Sequence, residues 1–268
     1  MGRGYPRPMT LSPQIDTLIA LGPLKVWSVV VTIMGDLCRD PEDRIEGPLL
    51  TRLVTGMGIN NQALRVALHR LKRDGWIEAQ RDGRVSSYAL TAEGRARTEA
   101  VRPVIYASAP PPPATVSLVL PAPDMATQDF VDALPDDTVF PGTRSALTTG
   151  PLDPALADAL VTPLALTHLP DWVSTVAISP EALADYDTLA RTLTRLPAPP
   201  EDLVQRTVQR LIAFHHWRRL RLRHGALPDL ILGPDWPGAR ARAAITAHLA
   251  AHPRPTRSEE HTSELQSP

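Results

Sequence analysis

The segment that most constrains this chain is ALRVALHRLKRDGW, residues 63–76. Leu64, Ala67, Leu68 and Leu71 recur at helical spacing, so one face is apolar. Arg65, His69, Arg70, Lys72 and Arg73 occupy the other face, with no acid before Asp74. A solvated helix mixes charge signs, because opposite charges one turn apart support each other. A purely basic face therefore asks for an anionic partner. Asn60 or Asn61 can cap the helix Gln62–Arg73, and Gly75 closes it. WIEAQ and VSSYAL follow as two short strands joined by RDGR, whose Asp-Gly pair signals a hairpin turn.

Two helical patterns precede this block. PLKVWSVVVTIMGDLCRD buries Val26, Val29, Val30, Ile33, Met34 and Leu37 on one face. GPLLTRLVTGMGI is a second helix, with Pro48 in its first turn and Gly56 or Gly58 at its end. TAEGRARTEAVRPVIYA returns to helix behind Thr91, and residues 1–22 read as a loose arm with a short apolar segment. Three helices and a hairpin form a winged helix-turn-helix, whose third helix enters the DNA major groove while the wing straddles phosphates.

Charge is distributed in blocks although the net charge is -1. Residues 60–102 hold nine basic and five acidic side chains, residues 107–206 four basic and thirteen acidic, and residues 210–223 five arginines and no acid. APPPPA, residues 109–114, is a stiff polyproline linker. Beyond it TVSLVLPAP reads as a strand, TQDFVDAL as a helix, TVFP and RSALTTG as strands, PALADAL as a helix and PLALTHL as a strand. That βαββαβ order is ferredoxin-like. After Trp172 come SPEALADYDTLARTLTRL, PEDLVQRTVQRLIAFHHWRRLRLRHG and PGARARAAITAHLA, all helical, separated by PAPP and ALPDLILGPDWPG. The expected architecture is α+β and multidomain: a winged-helix domain with its arm (1–106), a linker (107–114), a ferredoxin-like domain (115–173) and a C-terminal helical domain (174–256). Residues 257–268 are set aside: RSEEHTSELQS resembles the translation of a sequencing adapter, so the natural chain is expected to stop near Thr256, short of its true C-terminus.

A single cysteine, Cys38, excludes an internal disulfide and a cysteine-cluster zinc site, and is expected to be buried. The tightest apolar run, Val26–Met34, falls well short of the roughly 20 residues that span a bilayer. No phosphate loop, nucleophile elbow or zinc motif occurs, and Asp124 is a lone loop acid without partners in its stretch. The expectation is a cytoplasmic protein that is not an enzyme and carries no cofactor.

GINNQALRVALHRLKRDGWIEAQRDGRVSSYALTAEGRAR resembles the N-terminal domain of the PaaX family, bacterial repressors of phenylacetic acid degradation. LIAFHHWRRLRLRHGALPDLILGPDWPGARAR resembles that family's C-terminal helical region, while the middle is similar to its Cas2-like ferredoxin-like domain in length and strand order only, a resemblance that sets Asp124 near where a Cas2-type nuclease would hold a metal. Two departures stand out: Ser87 and Ala89 replace an arginine or aromatic of the family's wing, and SAPPPPA replaces a tryptophan-bearing segment. The resemblance implies a DNA-binding repressor of an aromatic catabolic operon, released by phenylacetyl-CoA. A regulator answering another aromatic or acyl-CoA metabolite, and a non-catalytic dimeric scaffold with incidental nucleic-acid affinity, remain as alternatives. One winged helix covers little DNA, so a homodimer on a pseudo-palindromic operator is expected.

On the candidate reading helix, Asn61, Gln62, Arg65, Val66 and His69 face outward. Glutamine can pair with adenine, and arginine with the O6 and N7 of guanine. Arg70 and Arg73 reach phosphates or pair with acids of their own domain, and Arg81 and Arg84 at the wing tip reach phosphates, contacts that position without reading sequence. Trp76 is expected in the core, and His215 and His216, being adjacent, point apart and do not chelate one metal. HHWRRLRLRH offers Trp217, Arg218, Arg219, Arg221 and Arg223. Guanidinium groups suit the phosphates of the implied CoA effector, and an indole can stack on its ring. The same segment can instead dock against the acidic middle of the chain or face solvent.

Overall fold

Ser12 accepts a hydrogen bond from the Ile15 amide (3.4 Å) and caps α1, Pro13–Ile19, within the stretch read as a loose arm followed by a short apolar segment. The computed structural model describes residues 12–112, 114–165 and 170–255, without the side chain of Asp82. The adapter-like tail lies outside them. Helix α2 spans Val26–Leu37, a two-residue strand β1 spans Ile45–Glu46, and α3 spans Gly47–Gly56 with Pro48 in its first turn. Asn60 accepts from the Ala63 amide (2.8 Å) and starts α4, Asn61–Arg73, which ends before Gly75 at φ +71°. Strands β2, Ile77–Asp82, and β3, Val85–Leu90, pair antiparallel, and β1 adds to the far side of β3.

The register Asp82↔Val85 makes Gly83–Arg84 the two turn residues, so Arg81 and Asp82 belong to β2 rather than to the connection. Gly83 at φ +56° supplies the left-handed conformation such a turn needs. Thr91 accepts from the Gly94 amide (2.9 Å) at the start of α5, Ala92–Ile105. Gly94 is required by proximity: a Cβ there would lie 2.0 Å from the Trp76 carbonyl oxygen.

Strand β4, Ser117–Leu120, is followed by α6, Thr127–Asp132, then β5, Val139–Gly142, and β6, Ser145–Thr148. Where PALADAL suggests a helix there is one 3-10 turn, Pro154–Leu156, started by the Asp153 side chain on the Ala155 amide (2.8 Å). The last strand, β7, is Leu160–Pro163, upstream of the expected PLALTHL; Leu166–Leu169 lie outside the described residues. The sheet is antiparallel in the order β5-β6-β4-β7. Helices α7, Asp171–Ala177, α8, Pro180–Arg195, and α9, Leu203–His224, follow, and α10, Leu227–Leu232, interrupts a stretch expected to be only a separator. Helix α11 spans Pro237–Ala251.

The chain is thus mixed α and β with two small antiparallel sheets, and its contacts divide it into two units, neither a single stretch of sequence. One is Met1–Pro103 with Thr192–His216 and Ile245–Pro268; the other is Val104–Arg191 with Trp217–Ala244. Within the first, α2 is buried all round from Ser28 to Asp36, beyond the single apolar face its periodicity suggests. Its polar side chains find partners inside: the Arg210 Nε and Nη2 atoms donate to Asp36 at 2.7 and 2.8 Å, and Thr32 Oγ1 lies 3.0 Å from His215 Nδ1. Arg210 also donates to the carbonyls of Leu249 and His252 (3.1 and 2.8 Å), so one guanidinium stitches α2, α9 and the end of α11.

In the second unit alternate residues of the four-stranded sheet enter two cores. Val119 and Ala146 meet Phe130 of α6 and Leu156 of the 3-10 turn. Val139 and Leu147 meet Ala177 of α7 with Leu227 and Ile231 of α10. Both faces of the sheet are therefore covered. Beyond it, buried Tyr186 packs edge-on against Trp217 and Trp236, with ring centroids 6.2 and 5.0 Å apart.

Candidate nucleic-acid interface

Helix α4 is held by its apolar stripe. Leu64, Ala67, Leu68 and Leu71 are buried, and the helix packs on α2 and α3. The stripe turns Asn61, Gln62, Arg65, Val66 and His69 outward together, all exposed. Arg65 and His69 form no ion pair among the described residues, so their donors face solvent. Arg70 and Arg73 are engaged: Arg70 Nε lies 3.4 Å and Arg73 Nη2 3.0 Å from Asp74. The Arg73 hydrogen bond, with Arg70 adding its charge, holds the Asp74 carboxyl below the usual carboxylate range. Both arginines therefore pair with an acid of their own unit while staying more than half exposed.

The hairpin lines up two further cations. Arg81 is exposed at the end of β2 and donates through Nε to the Gly83 carbonyl (3.2 Å), and Arg84 is exposed in the turn itself. The hairpin's base is tied by Arg44 to Glu78 at 3.3 Å. Trp76 is half-buried and carries the Arg97 guanidinium 5.1 Å above its ring, so it seals the junction of α4 and the hairpin.

One neighbour escaped sequence reasoning. Trp27, in the first turn of α2, is exposed, and the Arg70 guanidinium sits 5.4 Å over its ring. Its signal was its place off the apolar spacing of α2: a large ring flanked by Val26 and Ser28 and not shared with the buried face. Together Lys25, Trp27, Gln62, Val66, Ala67 and Arg70 line an open cleft of about 480 Å³ alongside α4.

The C-terminal basic segment divides differently. Trp217 is buried and donates from Nε1 to the Ile105 carbonyl (2.8 Å). Arg221 is buried against Asp229 at 3.0 Å, and Arg242 reaches the same carboxylate oxygen. Trp236 Nε1 donates to the other oxygen at 2.9 Å. Burial lowers the Arg221 pKa, and Asp229 opposes that shift. Arg218 is half-buried, with burial again lowering its pKa, while Arg219 and Arg223 are exposed. The five side chains thus do not form one surface: two of them belong to the interior. Elsewhere Cys38 is buried and reduced, and among the described residues no group of three histidine, cysteine, aspartate or glutamate side chains could hold a metal ion. No helix among them is long and apolar enough to cross a membrane.

Comparison with known proteins places the chain in a class. The PaaX-like protein family model matches residues 25–94, covering α2 through the start of α5, and the PaaX-like protein C-terminal domain model matches residues 181–262. The chain belongs to the PaaX-like family. It is similar to the transcriptional repressor PaaX of Escherichia coli (strain K12), at 27% identity over 246 residues, 82% of this chain and 78% of that protein. Among solved structures it is similar to the uncharacterized protein Rv0674 from Mycobacterium tuberculosis, at 18% identity, covering 89% of this chain and 99% of that one, with a TM-score of 0.49.

Proposed function

We propose that this chain is a sequence-specific, DNA-binding transcriptional repressor. In this reading α2, α3 and α4 with the β2–β3 hairpin work as a winged helix-turn-helix, and the four-stranded sheet with α6 is a ferredoxin-like element beside a helical C-terminal region. The observation that carries it is the outward face of α4: Gln62, Arg65 and His69 exposed and unopposed by any acid before Asp74, with exposed Arg81 and Arg84 on the adjoining hairpin. The α4 side chains suit base edges and the hairpin cations suit phosphates. The similarity to a protein named as a transcriptional repressor supports the same role.

The repressor acts as a homodimer on a pseudo-palindrome, with half-sites about one helical turn or a multiple of it apart. Footprinting on duplexes upstream of its neighbouring genes tests this. Discrete, two-fold-related protection is expected, with a dimeric mass by light scattering. Uniform protection at all sequences would leave only a scaffold with incidental affinity.

By family resemblance the target is an aromatic catabolic operon and the effector an aryl-CoA thioester such as phenylacetyl-CoA. Of the basic segment, exposed Arg219 and Arg223 are the side chains suited to meet its phosphates, since Trp217 and Arg221 are committed to the interior. Titration of the protein–DNA complex with phenylacetyl-CoA, phenylacetate and CoA should release DNA with the thioester alone. Arg219→Ala with Arg223→Ala should blunt that release and leave DNA binding intact; a normal response moves the effector elsewhere.

A further inference from the structure

Among the exposed large hydrophobic residues of the described chain, Val66 is the barest, at 66% of its full exposure. Its position is not explained by the helix, since valine is a poorer helix former than the arginine, lysine and glutamine around it. Nor does it belong to the core, whose buried stripe on this helix is Leu64, Ala67, Leu68 and Leu71. One turn before and after it stand Gln62, His69 and Arg70, all exposed. Val66 also lines the open cleft beside α4, where Trp27 and Ala67 add apolar surface and Lys25 and Arg70 add charge.

Apolar surface flanked by cationic side chains matches one feature of duplex DNA. The only apolar group on a base edge in the major groove is the 5-methyl of thymine, and it stands beside a continuous line of phosphates. Resting on the DNA-binding reading above, we propose that Val66 is a specificity-determining residue whose side chain packs on a thymine 5-methyl group, seated in the cleft between α4 and the first turn of α2. Lys25 and Arg70 meet phosphate, and Trp27 keeps the Arg70 guanidinium in place. Base preference at this position therefore comes from burial of a methyl group rather than from a hydrogen bond. An apolar side chain of a protein partner would fit the apolar surface but has no counterpart for the two cations.

The test begins with selection of a binding site by the full-length protein from random-sequence duplexes. Each thymine of the enriched site is then replaced by deoxyuridine, which removes the 5-methyl group and nothing else. A single deoxyuridine at the contacted position of one half-site should weaken the wild-type protein about fourfold, the worth of one buried methyl group. Val66→Ala should bind the thymine duplex more weakly and lose nothing further with deoxyuridine, while Val66→Thr, which keeps one γ-methyl, should retain part of the discrimination. Because the site is exposed, these variants fold, and far-ultraviolet circular dichroism checks that they do. Indifference of the wild type to deoxyuridine at every position overturns the proposal, as does a full fourfold loss by Val66→Ala. Enrichment of no site at all overturns the DNA reading on which it rests.

Discussion

Asp74 and Asp229 are each shared by two arginines, and the two arrangements do opposite things. On α4, Arg70 and Arg73 meet Asp74 at 3.4 and 3.0 Å, with the arginine side chains 55% and 68% exposed. In the second unit, Arg221 and Arg242 meet Asp229 with all three side chains no more than 4% exposed. In water such a pairing competes with hydration and is screened by salt, so it shapes the local field and contributes little to folding. Buried, the same geometry leaves two guanidinium groups with one carboxylate and no solvent in reserve. Removing the acid there strands charge in the interior. Stoichiometry is the same in both; exposure decides the role.

The buried trio gives the largest expected effect. Asp229→Asn should destabilise folding by about 3–5 kcal/mol, the cost of breaking a buried pair from one side. Asp36→Asn, which takes the paired carboxylate from buried Arg210, should cost a similar amount. Urea unfolding of the two variants measures both. A loss within experimental error for Asp229→Asn would mean that its arginines hydrate freely, and the contrast with Asp74 would collapse.

Next in size is the response to acid. His248 is buried and stacked on His252, with ring centroids 3.9 Å apart and Arg210 nearby. Burial first, and the positive neighbours after it, push its pKa down from 6.5 to about 3; that of His252 is lowered as well, again chiefly by burial. A histidine whose folded pKa is depressed contributes stability that is present above about pH 6.5 and is lost as the pH falls toward the folded value. The loss from His248 should approach about 1.4 kcal/mol per pH unit within that window. Unfolding free energies at pH 7, 6 and 5 should therefore decline, and His248→Gln should flatten the decline. A flat profile for the wild type would show that water reaches these rings.

These contrasts also explain what could be read from the sequence. Helix α4 was legible because its cap, its apolar stripe and its closing Gly75 all lie within sixteen residues of one another. The partners that bury α2 were not, since Arg210 stands 174 positions from Asp36 and His215 stands 183 from Thr32. Periodicity reports a local face, and α2 is covered on every face by chain that returns much later. Strand β7 was misplaced for the opposite reason: at the sheet edge Leu160 and Val161 are exposed, so no alternation marks them. The basic segment after His216 stayed open between effector, docking and solvent because composition shows charge without showing burial, and Asp229 lies eight residues beyond Arg221, across a turn and a new helix.

On the exposed side the comparison is sharpened by DNA rather than by folding. Arg65→Ala should cost about 1–3 kcal/mol in specific binding and relax preference at one base position, with the unfolding midpoint unchanged. Arg84→Ala should weaken all sequences alike and reduce the slope of log affinity against log salt by about one. Titrations against the selected site and a scrambled duplex at several salt concentrations separate the two behaviours. Equal, unchanged binding by both variants would remove α4 and the hairpin from the DNA surface.

The smallest expected effect is the most pointed, because it treats the exposed trio as the buried one was treated. Asp74→Asn removes the acid that holds Arg70 and Arg73 and leaves both guanidinium groups in water, where hydration replaces the lost pair. The unfolding midpoint should stay within error, in contrast to Asp229→Asn. Binding should move the other way. Asp74 is the one acid at the end of the basic face and stays ionised throughout the neutral range, since the arginines lower its pKa. Its removal takes away a charge that repels phosphate and frees two cations to reach it. The variant should bind the selected and the scrambled duplex slightly more tightly, with a steeper salt dependence for both. Tighter binding to the selected duplex alone would place Arg70 or Arg73 at a base edge. Weaker binding to both would mean that Asp74 fixes the two arginines in the geometry DNA requires, so that the exposed pairing, like the buried one, is structural.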